Sequence, residues 1–222
     1  LHPDEATLAL FSHDVLTTGN APLAVFHPAS VEELAAGVGA ATKAGIAIVP
    51  RGGGMSYTQG YLYEGGPHIL IDTRSLDAIL EINEEDMTVT VEAGCSWEKL
   101  LRELQPLGLR ALAWGTLSGL RASIGGGMSQ NGLFAADCGA LGVKARVTLK
   151  LVREANAFAY GSFSFDTHDQ LLKAMSAIAR AELAAESFAF DPFLQAQRMK
   201  RDSLGKDANQ FGNMAKNQAK SG

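Results

Sequence analysis

Val49-Pro50-Arg51-Gly52-Gly53-Gly54-Met55-Ser56-Tyr57-Thr58-Gln59-Gly60 is the stretch on which the reading of this chain turns. It follows Ile46-Ala47-Ile48-Val49, a short apolar run that reads as a buried strand. Pro50 is expected to end that strand, because proline cannot donate to a ladder. Three glycines then strip the loop of side chains. They allow positive φ and close backbone approach, so successive N–H groups can converge on an anion. Arg51 sets a permanent positive charge beside that nest, and Ser56 adds a hydroxyl. A pyrophosphate needs such groups. On this reading Gly53→Val should abolish anion binding and leave the fold intact. Taken alone, however, a glycine triplet reads more readily as a flexible turn. The stretch is neither a P-loop, which needs Lys-Ser/Thr after the glycines, nor a G-x-G-x-x-G opening a helix.

Two further clusters decide the matter. One runs from Trp114 to Asn131 and contains Thr116, Ser118 and Ser123-Ile124-Gly125-Gly126. The other is Asp137-Cys138-Gly139-Ala140-Leu141-Gly142-Val143, leading into a strand-like run over 143–151. In order, the chain reads PRGGGxS (50–56), LIDTRSLDAILEIN (70–83), TVTVEAGCSW (88–97), SIGG (123–126) with Asn131 nearby, and GALGV (139–143). This ordered set resembles the FAD-binding domain of the vanillyl-alcohol oxidase / p-cresol methylhydroxylase (PCMH-type) superfamily of FAD-linked oxidases. The resemblance covers residues 28–151. Among members, the chain looks most like the 2-hydroxy-acid dehydrogenases of the D-lactate and glycolate types.

That resemblance implies an α+β fold. A PCMH-type two-lobed FAD-binding domain over 1–152 would be followed, over 153–222, by the start of a ferredoxin-like α+β cap domain. It implies a nucleotide-binding flavoprotein that oxidises a hydroxylated small molecule, a 2-hydroxy acid or alcohol, by hydride transfer to FAD. An electron acceptor (oxygen, a quinone or a redox protein) would complete the cycle. Arg51, Gly52, Gly53, Gly54, Met55 and Ser56 fall on the pyrophosphate and ribityl side, with Gly60 counted among them. Thr116, Ser118, Ser123, Ile124, Gly125, Gly126 and Asn131 fall along the pyrophosphate and flavin. Gly142 and Val143 bring backbone groups to the cofactor. Several members bond FAD through a histidine in the glycine loop; Met55 stands there here, so the FAD is expected to be non-covalent. The catalytic base of the dehydrogenases lies in the cap domain, and no residue of this chain is assigned that role.

The chain departs from the family between Asn131 and Leu133, where two motifs nearly touch that are ordinarily separated by a loop, a helix and a hairpin. A segment is therefore expected to be missing near residues 131–133. Two readings follow: a flavoenzyme seen in part, or a flavin-binding module or non-catalytic subunit without turnover of its own.

Composition narrows the rest. A formal charge of −5 argues against a nucleic-acid partner. Cys95 and Cys138 are far apart without metal-ligand spacing, which fits a reducing compartment, and the five histidines form no ligand pair, so no metal is expected. No apolar run reaches membrane-spanning length. The expectation is a cytoplasmic protein, at most peripheral to a membrane, and compatible with a homo-oligomer. Tyr57, Tyr61 and Tyr63 follow the glycine loop; any of them could face the flavin, but a tyrosine half-buried in a loop reads more readily as packing.

Local signals mark the elements. Ser30-Val31-Glu32-Glu33 is a capping box opening a helix to Lys43, with Val31, Leu34, Ala35 and Val38 inward and Gly45 as its stop. A strand is expected over 68–72, a hairpin over 79–82 and 88–92, and a helix capped by Ser96, carrying Trp97, Leu100, Leu101 and Leu104 to a stop at Pro106 and Gly108. Beyond Leu151 the pattern predicts strands over 158–165 and 188–190. Between them Thr167 caps a helix with Leu171, Leu172, Met175 and Ile178 inward. Asp191-Pro192 starts another helix, and 209–222 is expected to be poorly ordered.

Overall fold

The chain divides into two compact units, Leu1–Ala157 and Phe158–Gly222. The computed structural model describes residues 4–112, 119–127, 137 and 139–193.

The first unit opens with α1 (Glu5–Leu10), capped by Asp4. Then come β1 (Ala24–Phe26), α2 (Val31–Lys43), β2 (Ala47–Arg51) and β3 (His68–Asp72). The three strands form a parallel sheet in the order β1-β3-β2. Leu70, wholly buried at its centre, pairs with Val25 on one side and Val49 on the other. The capping box holds: Ser30 Oγ accepts from Glu33 N at 3.1 Å, and Glu33 Oε2 accepts from Ala29 N at 2.7 Å. The buried stripe of α2 is Leu34 and Ala41, with Val38 half-buried. Ala35, expected inside, is exposed. Gly37 takes the position facing the sheet, where a Cβ would collide with the Phe26 ring. Pro50 does not end its strand: β2 runs on to Arg51, with Pro50 opposite Ile71. The reason is topological. β2 is an edge strand, which has a neighbour on one side only, so a missing N–H is tolerated there.

An antiparallel sheet follows. The hairpin β4 (Ile79–Asn83) and β5 (Thr88–Glu92) turns on Asn83, whose Oδ1 accepts from Glu85 N at 3.0 Å and Asp86 N at 2.8 Å. Then come α3 (Trp97–Leu104), β6 (Leu109–Ala111), the single turn α4 (Ile124–Gly127) and β7 (Arg146–Arg153). The sheet order is β4-β5-β7-β6. Ser96 Oγ caps α3 by accepting from Lys99 N at 3.2 Å. Trp97, Leu100 and Leu104 pack on Val89, Val91, Leu109 and Leu151 to form the larger core. The strand expected from residue 143 enters its ladder only at Arg146. Before it, Ala145 O accepts from Ala93 N at 2.9 Å, and Val143 packs on Leu34, Ile71 and Leu76. This segment therefore ties the core of the parallel sheet to the antiparallel one. Sequence periodicity missed α1, β1 and β6, elements of six, three and three residues, too short to show a period.

The second unit carries α5 (His168–Arg180), capped as expected, with Thr167 Oγ1 accepting from Gln170 N at 3.3 Å. Leu171, Met175 and Ile178 are only half-buried, and Leu172 is exposed. The strands expected over 158–165 and 188–190 do not form. Tyr160 is 93% exposed, and no described residue offers these segments a ladder partner. Alternation prepares one face of a strand; pairing needs an edge to join. Pro192 and Phe193 are helical, as expected. Residues 209–222 lie outside the described set. Among the described residues no helix is long and apolar enough to cross a membrane.

Leu100 is 1% exposed, in the larger core. Leu100→Ala should cost about 2–5 kcal/mol, and Ser96→Ala, which uncaps the same helix, about 1 kcal/mol. Urea unfolding midpoints measure both; equal losses would contradict the assignment of the core.

Candidate functional site

The glycine loop leaves the end of β2 and is gripped on one side by the turn before α4. Gly53 N donates to Ser123 Oγ at 3.1 Å. A Cβ on Gly53 would lie 2.5 Å from the Arg121 carbonyl oxygen and 2.9 Å from Ser123 N. On Gly52 it would overlap the Ser123 hydroxyl, and on Gly54, at φ +71°, the Arg51 guanidinium. The triplet is thus required by close packing as well as by backbone conformation. This corrects the expectation for Gly53→Val: the added side chain meets backbone atoms and must disturb the fold itself.

The loop's other end is tied to the N-terminal segment. Ser56 Oγ accepts from Thr58 N at 3.3 Å and Gly60 N at 3.0 Å, and the Tyr61 hydroxyl donates to Gly54 O at 3.0 Å. Asp14 accepts from Gln59 N, Leu16 N and Thr17 N, each at 2.8 Å, and from Thr17 Oγ1 at 3.1 Å. Burial pushes the Asp14 carboxyl up, but these donors outweigh it and hold it below its ordinary value.

Arg51 lies between the rings of Phe11 and Tyr61, its guanidinium carbon 4.7 and 5.2 Å from their centroids. Its NH1 is 3.5 Å from Asp72 Oδ2, in a carboxylate that is wholly buried. Arg74 grips that carboxylate more closely, with Nε at 3.0 and 2.9 Å from its two oxygens and NH2 at 2.6 Å. Arg51 is left with a weakly compensated charge and a buried Nε that has no hydrogen-bond partner among the described residues.

Two more segments close around the loop. Gly125 N donates to Ala93 O at 2.8 Å, and a Cβ on Gly125 would crowd Ala93. Gly139, at φ +83°, lies against the Pro50 ring, where a side chain would collide. Asp137 and Lys144, on either side of this glycine turn, form an ion pair. Together the segments line an open cavity of about 310 Å³, at the small end of ligand pockets.

The stretch from Arg51 to Ser56 with Gly60, the Ser123, Gly125 and Gly126 turn, and Gly142 with Val143 all line this one cavity. Ile124 does not. Its side chain is wholly buried in the antiparallel-sheet core, and its N–H donates to Cys95 O at 2.8 Å. Met55 borders the cavity while packing on the same core. Thr116, Ser118 and Asn131 lie outside the described residues, as do Cys138 and the junction near residues 131–133. Sequence reasoning passed over Thr73, Asp137 and Lys144, which also line the cavity. The signal for the last two was available: opposite charges flanking GALGV. Of the tyrosines, Tyr57 and Tyr61 both line the cavity, Tyr61 buried and packed against Arg51, Tyr57 exposed. Cys95 is wholly buried, and desolvation pushes its thiol up to about 11, so it is inert. No group of metal-ligating side chains occurs among the described residues.

Comparison with known proteins gives the family and the fold. A family model described as an FAD binding domain matches residues 22–142, more than half of the chain. No curated protein matches the chain significantly. Among solved structures, it is similar to alkyldihydroxyacetonephosphate synthase in two crystal forms. The first gives a TM-score of 0.67 at 19% identity, over 82% of this chain and 43% of that one. The second gives 0.60 at 19% identity, over 72% and 40%. The likeness is one of fold, and the chain spans less than half the length of these structures.

Asp14 yields a pH dependence. Its folded pKa lies below the ordinary 3.8. Its contribution to stability is therefore fully present above that ordinary value and is lost as pH falls through the depressed one. Asp14→Asn should lower stability at neutral pH and flatten the acid limb of a urea-midpoint profile. A variant whose profile keeps the parent's acid slope would show that Asp14 does not anchor the loop.

Proposed function

The chain belongs to the PCMH-type FAD-binding domain family, and from that premise we propose that its cavity holds FAD non-covalently in an FAD-dependent oxidoreductase. The donor set fits the group. A cradle of glycines without side chains lets a diphosphate approach the backbone closely. Arg51 adds a charge that Asp72, gripped by Arg74, only partly offsets, and the Ser56 hydroxyl adds a donor. The observation that carries the reading is the convergence of all three glycine motifs on one cavity beside that guanidinium.

When bound, the flavin supplies a two-electron acceptor for a C–H bond beside a hydroxyl. The protein's own residues do the rest. Arg51 and the Ser56 hydroxyl bind and orient the anionic part, and Gly125 and Gly126 let the opposite wall approach. Met55 offers no nucleophile for a covalent link, and Cys95 is sealed in the core. We take the substrate to be a hydroxylated small molecule, a 2-hydroxy acid or alcohol, and the electron acceptor to be oxygen, a quinone or a redox protein. We read residues 1–152 as the cofactor domain and 153–222 as the start of the cap domain that would bring the substrate. A flavin-binding module without turnover is the second reading.

Titrating FAD with the full chain tests the assignment through quenching of flavin fluorescence. Arg51→Gln should weaken binding roughly ten- to a hundredfold, the worth of one charge-assisted hydrogen bond. The fold should persist, because Arg74 still compensates Asp72. Acid precipitation should release all flavin to the supernatant; flavin in the pellet would overturn the non-covalent reading, and no quenching at all the cofactor itself. Anaerobic bleaching of the bound flavin by D-lactate, glycolate or simple alcohols separates an oxidoreductase from a module that stays oxidised throughout.

A further inference from the structure

The Asp137–Lys144 pair is not absorbed by the reading above. Both residues line the cavity, yet their side chains are only 2% and 19% exposed. The glycine turn between them sets their separation: Ala140 N donates to Asp137 O at 2.9 Å, and Gly142 N to Gly139 O at 3.3 Å. Burying an ion pair is a poor way to gain stability, because desolvating two charges consumes most of the Coulomb gain. A pair retained at a cavity wall calls for another role.

Its chemistry indicates one. A lysine ammonium has three donors, and the Asp137 carboxylate engages one of them. Asp137 Oδ2 has no hydrogen-bond partner among the described residues, and Lys144 is the cation that compensates this carboxylate. Burial pushes the Asp137 carboxyl up, but the Lys144 bond and backbone donors at Gly139 and Leu141 hold it below its ordinary value, so it stays ionised. Among the described residues lining the cavity, the charged side chains are Arg51, Lys144 and Asp137. Two cations against one carboxylate leave the site electropositive, with the hydroxyl residues Ser56, Thr58 and Thr73 also in its lining.

We propose that Lys144, positioned by Asp137, is a second anion-binding cation of this cavity, alongside Arg51, and that the group it takes is a phosphate. A phosphate offers several strong acceptor oxygens, which match the Lys144 ammonium and the Arg51 guanidinium and outweigh the one carboxylate of Asp137. Where that phosphate comes from rests on the functional reading: the diphosphate of FAD or a phosphorylated substrate.

The experiment is calorimetric titration of the full chain with inorganic pyrophosphate at low and moderate salt. Lys144→Gln should lower affinity roughly ten- to a hundredfold and reduce its salt dependence. Asp137→Asn, which leaves the ammonium but loosens its anchor, should lower affinity less. The double variant Lys144→Gln/Asp137→Asn removes both charges together and serves should either single change unfold the protein. A parallel loss for FAD, with riboflavin unaffected, assigns the phosphate to the cofactor. A loss for pyrophosphate with FAD unchanged assigns it to a phosphorylated substrate. Undiminished pyrophosphate binding in the lysine variants, or an equal loss for riboflavin, overturns the proposal. Pyrophosphate binding without any FAD binding would end the functional reading and leave Lys144 in the role assigned here.

Discussion

The contact of the glycine loop with the Arg121–Ser123 backbone governs this structure. The loop issues from the edge of a parallel sheet, and the turn it touches belongs to the packing around an antiparallel one. They approach so closely that no Cβ fits at Gly52 or Gly53. At such a distance backbone becomes part of the cavity wall, beside the side chains of Arg51, Met55, Tyr57 and Lys144. Gly125 against Ala93 and Gly139 against Pro50 repeat the arrangement on the other walls. A side chain at any of these positions would push the two sheets apart, so the shape of the site and the joining of the lobes depend on the same contacts.

Charge is distributed to suit that shape. Asp72 is wholly buried but lies between two guanidiniums, and the nearer, Arg74, is outside the cavity. Arg51 is fixed instead by stacking on Phe11 and Tyr61 and by the loop wrapped over it. Aromatic faces hold a guanidinium in place without neutralising it. Asp14 secures the same loop from outside, through backbone N–H groups rather than through a cation. The site keeps its positive character because its restraints are largely apolar or amide.

Much of the fold was legible in the order of residues. Caps at Ser30, Ser96 and Thr167 act within a few residues of themselves, so the helices they open occur where the side-chain chemistry indicates. The hairpin around Asn83 is local for the same reason. The misreadings share the opposite property. Whether Pro50 ends a strand depends on which edge of the sheet that strand occupies. Whether residues 158–165 form a strand depends on a partner. Whether Ile124 meets a ligand or the core depends on how a one-turn helix is rotated against β7. Each of these is decided by chain remote in sequence.

Residue order alone determined which segments carry glycine, where the fixed charge of Arg51 sits, and that five motifs succeed one another in the order of an FAD-binding domain. These are properties of composition and spacing, and an FAD binding domain model matches residues 22–142. The tertiary structure decided that the motifs share one cavity, that the Gly53 position is closed by a distant backbone, and that Asp137 and Lys144 stand in the wall as a buried pair. Spacing along a chain says nothing about which surfaces will be pressed together. That follows from burial of the apolar clusters, which bring the sheets into contact and leave between them a space lined by the glycine segments and by Arg51, Asp137 and Lys144.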